Sequence, residues 1–390
     1  MKIIHICLAA SYIEGYGYQE NILPEIHSQM GNDVTVITSK YIFNSKYEPK
    51  IRENFDYINK YGVHVLTLNN SNRFGKYSQF GDFDGLYDTL SNENPNVIFV
   101  HGGQFVGLMD VVKYCKKHGN VKLYIDQHGD YYNMKIDNWK SKLVHFWFYG
   151  HWMRKAIPLT EKYWGVTPWR CQYLNEVYHI PNDKIDLLVM GGDDRYINLN
   201  QKSEIRNEIR KSLCINEEDF VIISGGKIDL TKNIHLLMKA VIKLNIDNLK
   251  LIIFGQPDNN MEGIIKELSI DKHIINIGWI DSKNVYDYYL ASDLAVFPGT
   301  HSVLWEQTCA CGLPAIFKDW EGMHHVDLGG NCIFLKKCDE YELSVTIKNI
   351  YEHLDMYQKM KEVSTTKCIK QFSYKFIARK SIGILNEDIK

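Results

Sequence analysis

The chain has 390 residues, 45% hydrophobic and 24% charged, with a formal net charge of -2. That length exceeds the roughly 250–300 residues at which one core stops growing, so two domains are expected. The near-neutral balance gives no global field for nucleic acid, and no stretch reaches the about 18 consecutive apolar residues of a membrane span. Nine cysteines without a C-x-x-C pair point to neither a zinc site nor a redox motif, and to a reduced, cytosolic setting. Met1–Ala10 is too short an apolar run, broken by Ser11 and Glu14, for a signal peptide.

Ile3–Leu8 reads as a buried strand, Ala9–Gly17 as a loop and Tyr18–Met30 as a helix stopped by Gly31-Asn32-Asp33. Val34–Thr38 is the next strand, which completes a βαβ unit and requires a parallel sheet. Further apolar runs at Val63–Leu68, Val97–Val100 and Leu123–Ile125 extend it into a doubly wound α/β domain. Asn138–Ile157 is basic and aromatic. Trp139, Leu143, Phe146 and Gly150 fall at helical spacing, so that face is expected in the core. Its other aromatics offer a peripheral contact with a lipid headgroup layer. Asp186–Met190 reads as a strand broken by Gly191-Gly192-Asp193-Asp194, where the hinge is placed. The pattern then restarts with strands Phe220–Ser224, Leu249–Phe254, Ile274–Ile277 and Leu294–Phe297. Helices Ile234–Leu244, Met261–Leu268 and Lys283–Ala291 alternate with them, and a new strand opens at Pro314. The expected division is a first domain over 1–195 and a second over 205–365. Phe372–Leu385 reads as an amphipathic helix, and a final helix over about 370–390 is expected to pack back on the first domain. Two doubly wound domains would hold a ligand in the cleft between them.

In an open parallel sheet the chemistry collects beyond the C-terminal ends of the strands. Those ends carry Glu14, Gly15, Tyr16 and Gly17; His101, Gly102, Gly103 and Gln104; and Asp126, Gln127, His128, Gly129 and Asp130. In the second domain Gly225 and Gly226 allow close backbone approach. Lys227 and Lys232, around one turn, offer two point charges for one diphosphate. Pro298 and Gly299 end a strand, a helix-like segment starts near Ser302, and Glu306 stands about one turn inside it. A strand, a tight turn and a helix start make an anion site, and the carboxylate could grip a sugar hydroxyl. Asp193-Asp194 lacks the context of a metal-binding D-x-D, so no metal or other cofactor is expected.

The order of these motifs resembles the family 4-type retaining glycosyltransferases of group 1, with the GT-B fold, two Rossmann-like domains facing across a cleft. The phrases that carry it are Gly15-Tyr16-Gly17-Tyr18, Gly31–Ile37, Gly191-Gly192-Asp193, Gly226–Asn233, Gly255-Gln256-Pro257 and Glu306–Pro314. The resemblance implies transfer of a sugar from a nucleotide-diphosphate donor, UDP- or GDP-linked, to a glycan or lipid-linked acceptor with retention. It gives catalytic roles to Lys227, Lys232 and His128. The donor would contact Gly15, Gly17, Gly226, Gly255, His301, Ser302, Val303 and Glu306, the last on the ribose. Glu14, His101, Gln104 and Asp130 would face the acceptor. A hexosyltransferase at the cytoplasmic face of a membrane is the expectation. A non-catalytic nucleotide-sugar-binding relative, a nucleotide-sugar epimerase or a sugar phosphorylase are the alternatives. Two departures stand out. The donor-loop arginine is Lys227, and the first of the family's paired glutamates, eight positions before Glu306, is Pro298. His301 or Ser302 is expected to take over its contact with the sugar.

Overall fold

The computed structural model describes residues 1–10, 12–43, 49–71, 81–131, 134 and 139–384. It divides into two compact units. One comprises Met1–Val189 and the segment beginning at Ile377, and the other comprises Met190–Phe376.

The strands of the first unit are β1 (Lys2–Cys7), β2 (Asp33–Ser39), β3 (Tyr41–Phe43), β4 (Pro49–Ile51), β5 (Asp56–Ile58), β6 (His64–Leu68), β7 (Val97–His101), β8 (Lys122–Gln127), β9 (Thr160–Gly165) and β10 (Ile185–Leu187). Eight of them form one sheet in the order β10-β9-β8-β7-β1-β2-β6-β5. Every neighbouring pair is parallel except β5 with β6, and β3 and β4 form a separate antiparallel hairpin. The central strands β1 and β7 are buried along almost their whole length, as helices on both faces of a parallel sheet require. Helix Gln19–Gln29 links β1 to β2, and helix Leu108–Lys117 links β7 to β8. The order in which strands are added reverses at β1, since β2 lies on one side of it and β7 on the other. The loops after β1, β7 and β8 therefore share one edge of the sheet.

The second unit has β11 (Phe220–Gly225), β12 (Leu249–Phe254), β13 (Ile274–Gly278), β14 (Leu294–Phe297), β15 (Ala315–Lys318) and β16 (Cys332–Leu335). They form a six-stranded sheet in the order β13-β12-β11-β14-β15-β16, with every pair parallel. Here the reversal falls at β11, between β12 and β14. The fold class is therefore the doubly wound α/β expected, twice over.

Several elements differ from the sequence reading. Strand β9 is missing from it because Thr-Glu-Lys opens the segment with charge, although Tyr163 and Trp164 are buried. The strand expected at Asp186–Met190 is the shorter β10, and the turn into Gly191 starts earlier. Within Asn138–Ile157 the core assignment is reversed. Trp139, Leu143 and Phe146 are exposed, at 66%, 44% and 37%, while His145, Tyr149 and Met153 are buried. Helix Trp139–Leu143 runs into a π turn at Val144–Tyr149 and then helix Gly150–Ala156. The wider turn rotates the buried face, and aromatics on every side erase the contrast that periodicity needs. Asn138 lies outside the described residues. So does Leu385, beyond the last described helix, Tyr374–Ser381. Contacts from His27 Nε2 to the Ala378 carbonyl (2.8 Å) and from Trp164 Nε1 to the Ser381 carbonyl (3.0 Å) fasten this end to the first unit.

Candidate active site

In the second unit the candidate donor residues gather at the C-terminal edge of β11, β12 and β14. The backbone of β11 leaves through Gly226, which packs against Gly255 at the end of β12. A Cβ on Gly255 would stand 1.8 Å from the Gly226 carbonyl, and its φ is +116°, so only glycine fits. After Ile228, Asp229 caps a 3₁₀ turn, Leu230–Lys232, by accepting from the Thr231 N–H at 2.9 Å. This turn aims Lys232 at the loop after β14. Its ammonium donates to the Thr300 carbonyl at 2.7 Å, and Asn233 Nδ2 donates to the Pro298 carbonyl at 3.1 Å. Gly299 lies so close that a Cβ would meet Lys232 Cα at 2.3 Å. The position of the family's first glutamate is thus buried backbone packing.

Lys227 and Lys232 have different surroundings. The Lys227 side chain is 75% exposed and pairs with Asp229 at 3.3 Å. Lys232 is half-buried, and burial pushes its pKa down, with Asp229 opposing and Lys227 adding to the effect. The two ammonium groups are near enough to repel, which an incoming polyanion would relieve.

The helix carrying Glu306 is Leu304–Ala310, shorter than expected. Ser302 and Val303 form its lead-in, their carbonyls accepting from Trp305 and Gln307. Glu306 is completely buried. Its Oε1 accepts from His301 Nε2 at 2.8 Å and from His325 Nε2 at 2.9 Å. Burial would raise its pKa, but the two imidazoles hold it well below the usual carboxylate range. Glu306 Oε2 is buried with no hydrogen-bond donor among the described residues. Such an acceptor costs about 1–3 kcal/mol until a donor such as a hydroxyl satisfies it. His325, in the 3₁₀ turn His324–Val326 after β15, was not singled out in the sequence. Only its imidazole, in a loop on the same sheet edge, could have flagged it.

In the first unit the expected residues separate into two kinds. Glu14, Gly15 and Gly17 lie in an exposed loop, with Glu14 accepting from the Tyr57 hydroxyl at 2.9 Å. His128 is partly exposed and its Nε2 donates to Asp126 Oδ2 at 3.2 Å. Burial disfavours its charged form, yet the Asp126 carboxylate and Glu20 prevail and raise its pKa to about 9. Two residues expected at the acceptor are internal instead. His101 has no exposed surface and bonds Asp126 and His5, while Asp130 is 4% exposed and pairs with Arg170 at 3.0 Å. Each satisfies a buried partner, which a bound acceptor could not replace without loss. Gln104, half-buried, donates to Gln127.

The expectation of no metal looked only for D-x-D. Asp193 pairs with Arg195 at 2.6 Å, and Asp194 accepts from the Ser373 hydroxyl at 2.7 Å. Two other sets, His101/Asp126/His128 and His301/Glu306/His325, each bring three ligand-type atoms within 4.8 Å of one another. In both, the imidazole nitrogens lie within hydrogen-bond distance of the carboxylate oxygen.

Two doubly wound α/β units define the class of two-Rossmann-like folds. Residues 205–366 match the family model for glycosyl transferases group 1. A glycosyltransferase structure from Rickettsia africae aligns over 98% of this chain and 97% of its own, with TM-score 0.71 and 16% identity. Anabaena HepE in complex with UDP-glucose aligns over 98% of both chains, with TM-score 0.66 and 12% identity. Among curated proteins, the Campylobacter jejuni N-acetylgalactosamine-N,N'-diacetylbacillosaminyl-diphospho-undecaprenol 4-alpha-N-acetylgalactosaminyltransferase is 32% identical over 103 residues, 25% of this chain and 27% of that protein. The chain spans 44%, 27% and 52% of the lengths of the three curated relatives it matches.

Proposed function

We propose that the protein transfers a hexosyl group from a nucleotide-diphosphate sugar, UDP- or GDP-linked, to a glycan or lipid-linked acceptor with retention of anomeric configuration. The observation that carries this reading is the contact of Lys232, one turn beyond Lys227, with the loop leading to Glu306. The lysines meet the diphosphate, where negative charge grows on the β-phosphate as the glycosidic bond breaks. Glu306 Oε2 takes a ribose hydroxyl as donor. The acceptor hydroxyl attacks from the face the phosphate leaves and gives its proton to a departing phosphate oxygen, so no protein nucleophile is required. His128, held as an imidazolium, donates a hydrogen bond to the transferred sugar. His301, fixed on Glu306, takes over the sugar contact of the missing glutamate. The transfer as proposed uses no metal.

The UDP-glucose complex of the Anabaena neighbour supports a nucleotide-sugar partner, and the undecaprenol-linked substrate in the Campylobacter relative's name supports a lipid-linked acceptor. No described helix is long and apolar enough to cross a membrane. Contact with the inner membrane face instead uses exposed Trp139, Leu143, Phe146 and Trp147, in a stretch without Asp or Glu from 138 to 160. The test is incubation with a panel of nucleotide sugars and lipid-diphosphate glycan acceptors, read by proton NMR of the new anomeric bond. A product with the donor's configuration supports the reading. Consumption of donor to an epimer without transfer rejects it in favour of an epimerase.

A further inference from the structure

At the N-terminal edge of the second unit's sheet lies a recess that the proposed transfer does not use. It has a volume of about 160 Å³ and is lined by Lys202, Arg206, Asp293, Tyr357, Lys361 and the turn at 312–314. Asp293 stands just before β14, and the turn stands just before β15. The candidate donor residues gather beyond the opposite ends of these strands. The strand between Asp293 and Pro298 spans roughly 16 Å, so the two places are separate. Lys202 and Arg206 come from successive turns of helix Lys202–Ser212. Tyr357 and Lys361 come from successive turns of helix Leu354–Val363.

The charges in this recess do not balance. Asp293 is the one carboxylate among its described lining residues, and both of its oxygens are engaged. Oδ1 accepts from Arg206 Nη2 at 2.8 Å, while Oδ2 accepts from Arg210 Nη2 at 2.7 Å and from the Val221 N–H at 2.9 Å. Arg206 is pinned again where its Nη1 donates to the Ala291 carbonyl at 2.9 Å. The Tyr357 hydroxyl donates to the Asp293 carbonyl at 3.2 Å. That leaves the two lysines. Among the described residues neither ammonium has a hydrogen-bond acceptor or an ion-pair partner, and Lys361 stands 5.8 Å from the Tyr357 ring centre. Helix stability does not account for them. Lys202 opens its helix, where the macrodipole disfavours a cation, and Arg206 four positions on repels it. Nor is a cap needed for helix Leu304–Ala310, because the Gln307, Thr308 and Cys309 carbonyls already accept from the N–H groups of Cys311, Leu313 and Gly312. Burial pushes the pKa of Lys202 down, with Lys361 and Arg206 adding to the effect and Cys311 and Asp293 opposing it. Two half-buried ammonium groups on one recess carry a desolvation and repulsion cost that an anion removes.

We propose that this recess binds a small phosphate dianion, inorganic phosphate or a compact phosphomonoester, between the ammonium groups of Lys202 and Lys361. Charge, donor type and size give the class. Two free ammonium charges match the about −1.5 to −2 that a phosphomonoester carries near neutral pH. Ammonium groups act as point charges that meet phosphate oxygens from any direction. A carboxylate would favour the fork of a guanidinium, and that of Arg206 is already held by Asp293 and Ala291. The volume falls below the about 300–1,000 Å³ of sites for drug-sized ligands, which excludes a whole nucleotide. The Arg206–Asp293–Arg210 group holds the recess in shape before the anion arrives. The site does not depend on the transferase reading.

The test is calorimetry of the full chain with inorganic phosphate, at ionic strength held constant with chloride. It is run on a Lys232→Met background, so that any phosphate contact at the donor loop is removed. Saturable binding should remain there. Adding Lys202→Met or Lys361→Met should weaken it at least about tenfold, the loss of one charge-assisted contact. Binding that disappears with Lys232→Met alone, or that survives both added substitutions, overturns the proposal, as does the absence of saturable heat. None of these outcomes touches the donor-site reading. Glycerol phosphate, titrated in parallel, separates the two sources. Affinity at least equal to that of phosphate assigns the recess to a phosphomonoester, and binding of phosphate alone assigns it to the free ion. Either supports the site. Thermal unfolding without phosphate distinguishes a ligand contact from a brace. Lys202→Met deletes an unpaired charge and should hold or raise Tm, whereas a fall in Tm with phosphate affinity kept makes Lys202 structural and rejects the proposal.

Discussion

Lys232→Met separates bracing from catalysis at the donor loop. Methionine keeps most of the stem and deletes the ammonium that donates to the Thr300 carbonyl at 2.7 Å. A charge-assisted hydrogen bond contributes about 1.5–3 kcal/mol, and the half-buried setting favours the lower end. A loss of about 1.5 kcal/mol lowers Tm by roughly 3–6 °C for a unit of this size. The effect on chemistry is larger if the ammonium also meets the diphosphate. Losing one preorganised charge then costs about 100–1000-fold in kcat. Binding distinguishes the two roles without an acceptor. Calorimetry should show affinity for the nucleoside diphosphate falling at least about tenfold, about 1.4 kcal/mol, while affinity for the nucleoside alone holds. If both ligands weaken equally, or neither does, Lys232 is a loop brace and the phosphate assignment is wrong.

Glu306→Gln removes the charge that two imidazoles share and should cost about 3 kcal/mol or more in unfolding free energy, as breaking a buried pair does. Because the folded pKa of Glu306 is depressed, its stabilisation is present above the unfolded carboxylate value and fades as pH falls. The variant should therefore lose less stability than the wild type between about pH 5 and pH 3 in acid-melting curves. For His128 the sign is opposite. Its pKa is raised from 6.5 to about 9, so its stabilisation is complete below pH 6.5 and disappears as pH rises through 9. His128→Ala should flatten that alkaline slope in Tm. A Trp147→Glu and Leu143→Glu double variant should abolish flotation with anionic liposomes and leave nucleotide binding intact. Wild-type protein that fails to float disposes of the membrane contact. Transfer should persist in excess chelator, and its loss there would show that one histidine–carboxylate set holds a metal.

The sheets were legible because buried parallel strands are short apolar runs bounded by glycine and asparagine turns, as at Ile3–Leu8 and Leu249–Phe254. Strand β9 was not, since its opening charges mimic a loop. The turn after β11 was legible because Gly226, Lys227 and Lys232 follow directly on a short apolar strand. What the glutamate touches was not, because His325 reaches Glu306 from a turn nineteen positions later that only the folding of β15 brings close. His101 and Asp130 were misread for a general reason: a polar residue at a strand end looks the same whether it faces a ligand or a buried partner. His5, alone among the apolar residues of β1, carried the signal of an internal polar network and was passed over.

The central claim is that the second unit grips a nucleoside diphosphate through the Lys227–Lys232 turn and Glu306. Thermal unfolding of the full chain against UDP, GDP, ADP and their sugars tests it most directly, because a ligand at 100 times its Kd stabilises the folded state by about 2.7 kcal/mol. The account predicts that one nucleotide series raises Tm, that the diphosphate does so far more than the nucleoside, and that Glu306→Gln weakens the effect. A Tm that no nucleotide or nucleotide sugar moves would contradict it.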